Sequence, residues 1–471
     1  MRLWNLTTRQ FETVLAATTL AVYVLIATGA TLASTGTTTC SQWPVCVSNS
    51  GLFTPGFLLV VGHRALTALV GLLLAVTLLG GLSVSLDWRA RVALYSVGVA
   101  FPLQVSVGAL VVLTDVSAVT EIHLALGTCL FVLLLTALSW TLEDGTGESD
   151  TATPEPAVTE RDVVTDETSA QSHSERPSAG ATATARAYLE LTKPRLMWLL
   201  CLLALAGMAL ATTTGQWPTG LEVAGTLTGG ILAIGASGTF NHLYERDRDQ
   251  QMERTNDRPV ATNEIPPRNA AAFGCVQLAL AMGILLVFVN ALAAALTLAA
   301  VVYYSVVYTV VLKPNTSWNI AIGGGAGALP ALIGWAGVTG SVGLGGLLLA
   351  VLVVVWTPPH FYNLAIVYRD DYARAGYPMF PVIAGVPAAR RRILLTLGAT
   401  LLVTVGLVVW TPLAWLFTVA SVLAGGLFFW STVSQCRLRT RDATMQTFFI
   451  SIAYLGIVLG AIVVETVAVH S

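Results

Sequence analysis

The chain has 471 residues, of which 55% are hydrophobic and 11% charged, and its formal net charge is −2. That balance gives no basic surface for a nucleic-acid partner. Its apolar residues come in runs of about twenty, the length of a bilayer-crossing helix, which excludes an ordinary soluble globular domain.

The expected fold class is all-α, a polytopic membrane protein. About thirteen stretches satisfy the spanning length: 12–33, 56–84, 92–113, 119–141, 196–213, 221–243, 269–288, 290–312, 318–338, 342–364, 393–410, 412–432 and 445–466. The first is embedded in this series and lacks a small-residue cleavage site, so it reads as a span. Basic residues fall at Arg2 and Arg9, Arg89 and Arg91, Lys193 and Arg195, Arg246 to Arg268, Lys313, Arg369 to Arg392, and Arg437 to Arg441. They occupy every second loop, which predicts a multi-pass cell-membrane protein with its N-terminus inside and its C-terminus outside.

Residues 1–141 form a four-span unit. Its first outer loop holds "CSQWPVC", where Cys40 and Cys46 face an oxidising side that suits a disulfide. His63 and His123 lie near the outer ends of the second and fourth spans, which both run inward, so the imidazoles reach one depth, as in a bis-His heme. Each histidine alone reads equally as an interhelical hydrogen-bonding residue. Arg64 is placed to meet a propionate. Cys129, Cys201, Cys275 and Cys436 show no metal spacing.

Residues 142–187 are acidic, rich in Ser, Thr and Pro, and almost without large apolar side chains. Such a segment cannot offset the entropy of ordering and is expected to be a disordered cytoplasmic linker, with His173 solvated. Residues 188–471 form a nine-span unit.

The most charged stretch of that unit is "NHLYERDRDQQMERTNDRP", starting at 241. Asn241, Glu245 and Asp249 are four residues apart and share one face of a continuing helix, whereas Asp247 points away. Hard oxygen donors at a membrane surface suit Mg²⁺ and a phosphorylated substrate. A second acidic stretch, "HFYNLAIVYRDDYARAGYPMFPV", begins at 360. If its helix continues, His360 and Asp371 share a face roughly 16 Å apart. Two such ends could hold a diphosphate through metal, with Lys193, Arg246, Arg254, Arg258 or Lys313 balancing its charge. The bland alternative is a solvated, positively charged loop. An ionisable residue within a span is functional by default, which singles out His360 for heme contact or proton handling. His242 reads as structural. Tyr303, Tyr304 and Tyr308 read as packing, or as aromatic faces for a cation.

These motifs resemble the UbiA-type intramembrane prenyltransferases, in their heme O synthase branch. The resemblance covers roughly residues 186 to 466 through "LTKPRL" at 191, the stretch at 241, "IGGGAGALPALIGW" at 322, "TPPHFYNLA" at 357 and "DYARAGYPMFPV" at 371. It implies transfer of a farnesyl group from farnesyl diphosphate, bound through Mg²⁺, to a vinyl group of heme B (protoheme IX), giving heme O. It further implies Asn241, Glu245, Asp249 and Asp371 as metal and diphosphate residues, with Asp247 supporting. Glu245 stands where the family usually has aspartate. Asn241, Asp249 and Asp371 with Lys193, Arg258 and His360 make up the candidate catalytic set. Residues 10 to 141 resemble one half of a heme A synthase, which implies His63 and His123 as heme ligands; Val60 stands where that family often has glutamate. The implied partners are a heme A synthase and a terminal oxidase assembly. Rival readings are a quinone or ether-lipid prenyltransferase, a bifunctional heme O and heme A synthase, and a non-catalytic heme carrier.

Overall fold

In a hydrocarbon solvent a backbone group can be satisfied only within its own helix or a closed barrel. Among the described residues this chain forms helices and no strand. The computed structural model describes residues 6–35, 42–44, 54–114, 116–143 and 180–470. Cys40, Cys46 and most of the expected linker, His173 included, lie outside them. Among the described residues thirteen helices are long and apolar enough to cross a membrane, in agreement with the expectation.

The first four are α1 (Thr8–Ser34), α2 (Pro55–Gly81), α3 (Trp88–Leu113) and α4 (Ser117–Glu143). Local chemistry sets their starts. Thr7 and Gln10 form a capping box before α1, Pro55 opens α2, and the Asp87 side chain accepts from the Arg89 N–H ahead of α3.

Next comes α5 (Ala181–Leu191), a short helix that starts inside the stretch expected to be linker. The expectation of disorder up to 187 is therefore corrected. Ala187 and Leu191 are buried against Val260, Ile265 and Ala270, and that apolar contact offsets the ordering cost that composition alone left uncovered.

The remaining elements are α6 (Pro194–Ala211), α7 (Gly220–Asp249), α8 (Pro267–Phe288), α9 (Ala291–Val302), a π-helical continuation Tyr303–Leu312, α10 (Lys313–Asn315), α11 (Asn319–Thr339), α12 (Leu344–Val367), α13 (Arg369–Arg374), α14 (Phe380–Ala384), α15 (Val386–Trp410), α16 (Trp415–Leu438) and α17 (Arg441–His470). The helix carrying His360 ends at Val367, so His360 and Asp371 lie on separate helices, α12 and α13. The conditional alignment along one continuous helix does not hold.

The two sequence units share one core. α1 and α4 dock on α15 and α16, and Phe131, Leu134 and Leu135 of α4 join Leu397 and Leu401 of α15 in a single buried cluster. Polar contacts fix the register: Thr31 Oγ1 to Thr418 Oγ1 at 2.7 Å, and Arg437 Nε to Glu12 Oε2 at 3.2 Å.

Helix α6 crosses α11 at backbone contact. A Cβ on Gly334 would overlap the Ala204 carbonyl, and one on Gly207 would overlap the Ala331 carbonyl. Small residues permit this approach, as is usual where helices pack within lipid. A main-chain carbonyl cannot swing aside, so Gly334→Val should destabilise the protein by about 1–3 kcal/mol. The expected result is a lower thermal unfolding midpoint in detergent, while Gly283→Val, with nothing within 4 Å of its Cβ position, stays near wild type.

Candidate functional site

Helix α7 continues unbroken to Asp249, and as expected it aligns Asn241, Glu245 and Asp249 on one buried face, at 2%, 4% and 3% exposure. Asp247 is exposed and off that buried face, as its spacing predicts.

The π-helical segment supplies the facing wall. Its wider turn is seen in Thr309 Oγ1, which bonds the Tyr304 carbonyl five residues back at 2.9 Å. That hydroxyl in turn accepts from Asn241 Nδ2 at 3.1 Å. Tyr304 and Tyr308 stack with centroids 5.7 Å apart and line the cavity described below, whereas Tyr303 turns away to donate to the Ile322 carbonyl. Directly after this segment, Lys313 pairs with Glu245.

Lys193 arrives from a different direction. It caps α6 in a left-handed conformation, φ 55°, which a non-glycine residue rarely adopts. Such strain persists where the surroundings impose it. Gly238 of α7 leaves room for this turn: its Cβ would stand 2.7 Å from the Leu191 carbonyl. Thus placed, Lys193 donates to Asn241 Oδ1 and to Tyr304 Oη, the latter at 3.3 Å.

The loop after α7 returns a further cation. Arg258 lies 2.7 Å from Asp249 Oδ2 and 3.6 Å from Glu245 Oε2. Burial works against its charge, but Asp249 and then Glu245 outweigh burial and hold the guanidinium above its ordinary pKa.

Asp371, buried on α13, accepts from the backbone N–H groups of Glu253 and Arg254 at 3.3 Å each and pairs with Arg374. Arg254 sits 4.8 Å over the Tyr368 ring and donates to Tyr372 Oη at 3.1 Å. The second acidic motif therefore meets the loop that follows the first, and does so through backbone. Arg246 bonds Asn263 instead of facing the site.

Above the charged end opens a cavity of about 490 Å³. Lys193, Asn241, Glu245, Arg258 and Lys313 line one end, and apolar side chains of α6, α7, α9, α11, α12 and α17 line the rest. Leu196 and Trp198 of α6 line it while remaining 51% and 53% exposed, so its wall reaches the lipid-facing surface. His360 belongs to this wall, and His242 is buried with Nδ1 unpartnered among the described residues.

The four expected metal residues are not assembled as one set. Among the described residues no three His, Cys, Asp or Glu side chains converge, because Asp371 is engaged by two N–H groups and Arg374, and Asn241 by Lys193. Glu245 and Asp249 alone converge, and the point where they do is held by the Arg258 guanidinium. Two carboxylates one turn apart, now balanced by Arg258 and Lys313, are a donor set that fits a divalent cation accompanied by substrate oxygens.

In the amino-terminal unit, His63 is packed against Gly29, with Nδ1 3.4 Å from Thr28 Oγ1. His123 is packed against Gly108, with Nε2 3.4 Å from Gln104 Nε2. The two rings lie within electrostatic reach of one another. Arg64 donates to the Pro44 carbonyl at 3.1 Å.

Sequence reasoning missed Thr309 and Ser451, the residues that orient Asn241 and His360. Neither carries a local signal, since a hydroxyl within a span ordinarily bonds its own helix.

Residues 200–453 match the UbiA prenyltransferase family. A protoheme IX farnesyltransferase of Haloarcula marismortui is 48% identical over 467 residues, covering 98% of this chain and 99% of that protein. One of Salinispora tropica is 41% identical over 289 residues, 60% of this chain and 89% of its own length. Among solved structures, a digeranylgeranylglyceryl phosphate synthase shares the fold at a TM-score of 0.51 and 13% identity, covering 60% of this chain and 99% of that one.

Lys313→Met should cost about 3–5 kcal/mol, because it leaves Glu245 buried with only the longer Arg258 contact. Glu245→Gln added to Lys313→Met should recover much of the loss, and a thermal unfolding series in detergent reads both.

Proposed function

This chain belongs to the UbiA prenyltransferase family, and from that premise we propose that it is a protoheme IX farnesyltransferase, which moves the farnesyl group of farnesyl diphosphate onto a vinyl group of protoheme IX. The observation that carries the reading is one cavity with a cationic and carboxylate end and an apolar remainder. That is the polarity of a diphosphate joined to a hydrocarbon chain. The choice of protoheme rests on the near full-length likeness to a farnesyltransferase of that name.

The C–O bond of the allylic diphosphate breaks and its electron pair leaves with the diphosphate. The terminal vinyl carbon supplies the electrons of the new C–C bond. Water adds to the inner vinyl carbon and loses a proton, giving the hydroxyethylfarnesyl group of heme O. Leaving-group charge is the main thing to stabilise. We assign that task to Lys193, Lys313 and Arg258, which would exchange the oxygens they now hold for those of the diphosphate. Asn241, Glu245 and Asp249 would hold Mg²⁺, which when bound supplies Lewis-acid stabilisation of the departing oxygens. Asp371 supports the loop that carries Arg254 and Arg258. Tyr304 and Tyr308 offer π faces to the allylic cation, and the apolar walls keep water from it.

We further infer an inside N-terminus and an outside C-terminus in the cell membrane, from basic residues in alternate loops. A bis-His heme in the amino-terminal unit is supported by the nearness of His63 and His123 and by His123 Nδ1, which is buried without a partner among the described residues. The proposed recipients of the product are a heme A synthase and a terminal oxidase assembly.

Purified full-length protein given protoheme, farnesyl diphosphate and Mg²⁺ should yield heme O by mass spectrometry. Asp249→Ala should lower the yield by on the order of 10²-fold or more. Folded protein that prenylates a quinone precursor but not protoheme would overturn the reading. Reduced-minus-oxidised spectra should show a bis-His heme that disappears in His63→Ala.

A further inference from the structure

We propose that His360 supplies the nitrogen that ligates the iron of the tetrapyrrole acceptor, and that Ser451 is its positioning residue. The proposal rests on the protoheme reading and deepens it by naming how the acceptor is recognised.

The tautomer of His360 follows from its neighbours. Ser451 Oγ donates to the Phe448 carbonyl at 2.5 Å, which uses its one proton. Oγ can then only accept, and it lies 2.7 Å from His360 Nδ1. Nδ1 therefore carries the ring proton, and Nε2 keeps a free lone pair. The Phe448 backbone carbonyl is a second hydrogen-bond neighbour of the imidazole, and the ring forms part of the cavity wall.

The ring cannot turn. It is stacked between Trp356 and Phe448, each at a centroid distance of 4.4 Å with interplanar angles of 13° and 19°, and Phe361 meets it edge-on at 4.7 Å. Trp356 is itself fixed, its Nε1 donating to the Ser451 carbonyl at 3.0 Å. One stretch of α17 thus orients His360 directly through Phe448 and Ser451, and indirectly through Trp356.

A histidine serving only to pack helices would satisfy both nitrogens or face both into protein. This one spends Nδ1–H on an oxygen while its ring lines a largely apolar cavity. A metal-ligating imidazole is usually held in this way, because the hydrogen bond at the far nitrogen fixes its orientation and raises its basicity. The iron of protoheme is a Lewis acid that such a lone pair would meet. Depth agrees with the reaction: His360 lies seven residues before Val367, the end of α12, and Asn241 eight before Asp249, the end of α7. Both are therefore about 10–12 Å from helix ends that open at the charged mouth. An acceptor ligated by His360 would lie beside the point where the prenyl chain leaves its diphosphate.

The test uses full-length protein carrying His63→Ala and His123→Ala, so that heme reports on the second unit alone. Binding of protoheme and of metal-free protoporphyrin IX is measured for this background and after adding His360→Ala or Ser451→Ala. His360→Ala should weaken protoheme binding tenfold or more and leave metal-free porphyrin within about twofold; Ser451→Ala should weaken protoheme roughly tenfold or less. Resonance Raman of the ferrous complex should show an iron–histidine stretch in the background protein, lost in His360→Ala and shifted down in Ser451→Ala. Added imidazole should restore protoheme binding to His360→Ala. Equal weakening of both porphyrins, or of neither, would overturn the proposal, as would a background protein lacking the iron–histidine stretch. The stretch requires only that the background and Ser451→Ala proteins fold. Heme O production by wild-type protein is scored in parallel: its absence refutes the transferase reading, while its presence without iron-selective loss refutes only the role of His360.

Discussion

Everything around the cavity depends on keeping charge at the border of a low-dielectric slab. Glu245 is 4% exposed and Lys313 9%, and both stand at the ends of membrane-length helices. Removing either charge from water is costly, and their mutual attraction offsets that only with good geometry and further partners. Arg258, shared with Asp249, supplies such a partner, and Asn241 with Lys193 and Thr309 continues the network towards the apolar cavity. The network is held by four separate pieces of chain: the entry to α6, the end of α7, the loop beyond it, and the π-helical continuation of α9. Each cation in it is anchored to an oxygen that a phosphorylated ligand can replace, and with Lys193 held only by neutral oxygens the network keeps one positive charge in excess of its two carboxylates.

The same constraint explains why this wall is π-helical. A regular α-helix through Tyr303–Leu312 would step by 100° per residue, whereas the wider turn lets Thr309 reach Asn241 as Tyr304 reaches Lys193. Segments of this kind survive where the surroundings demand them. Left-handed Lys193 on the opposite wall shows the same economy, since its backbone strain aims an ammonium at Asn241.

What was legible in the sequence follows from what is local. Bilayer thickness fixes span length, so all thirteen spans could be found from composition alone. The shared face of Asn241, Glu245 and Asp249 follows from a four-residue spacing on a helix that does continue. What failed depends on distant partners. Lys313 and Glu245 are 68 residues apart, and no spacing announces their pairing. The break between α12 and α13 falls in "AIVYRDD", with no glycine or proline to mark it. The π-helical run "YYSVVYTVVL" reads as an ordinary apolar helix. The helical end of the supposed linker was hidden because Ala187 and Leu191 bury themselves against residues some seventy positions later.

The way the two units are joined bears on the route of the acceptor. Glu12 pairs with Arg437 near the end of α16, and α4 ends at Glu143 beside Arg439, whose guanidinium meets the Leu142 carbonyl. These contacts put the end of α4 on the same face as the start of α15, which follows closely after the acidic α13. His123 lies twenty residues before Glu143 on an uninterrupted helix, about 30 Å away along its axis. A heme held by His63 and His123 would therefore sit towards the face opposite the charged mouth, well beyond the depth of His360. Such a heme could not be the acceptor while it remained ligated there. The acceptor has to enter the cavity itself, and the wall that reaches lipid at Leu196 and Trp198 gives an amphiphilic tetrapyrrole an approach from within the membrane. On this geometry, a protoheme held in the first unit would be a different molecule from one undergoing transfer, and the shared core of the two units would fix their separation.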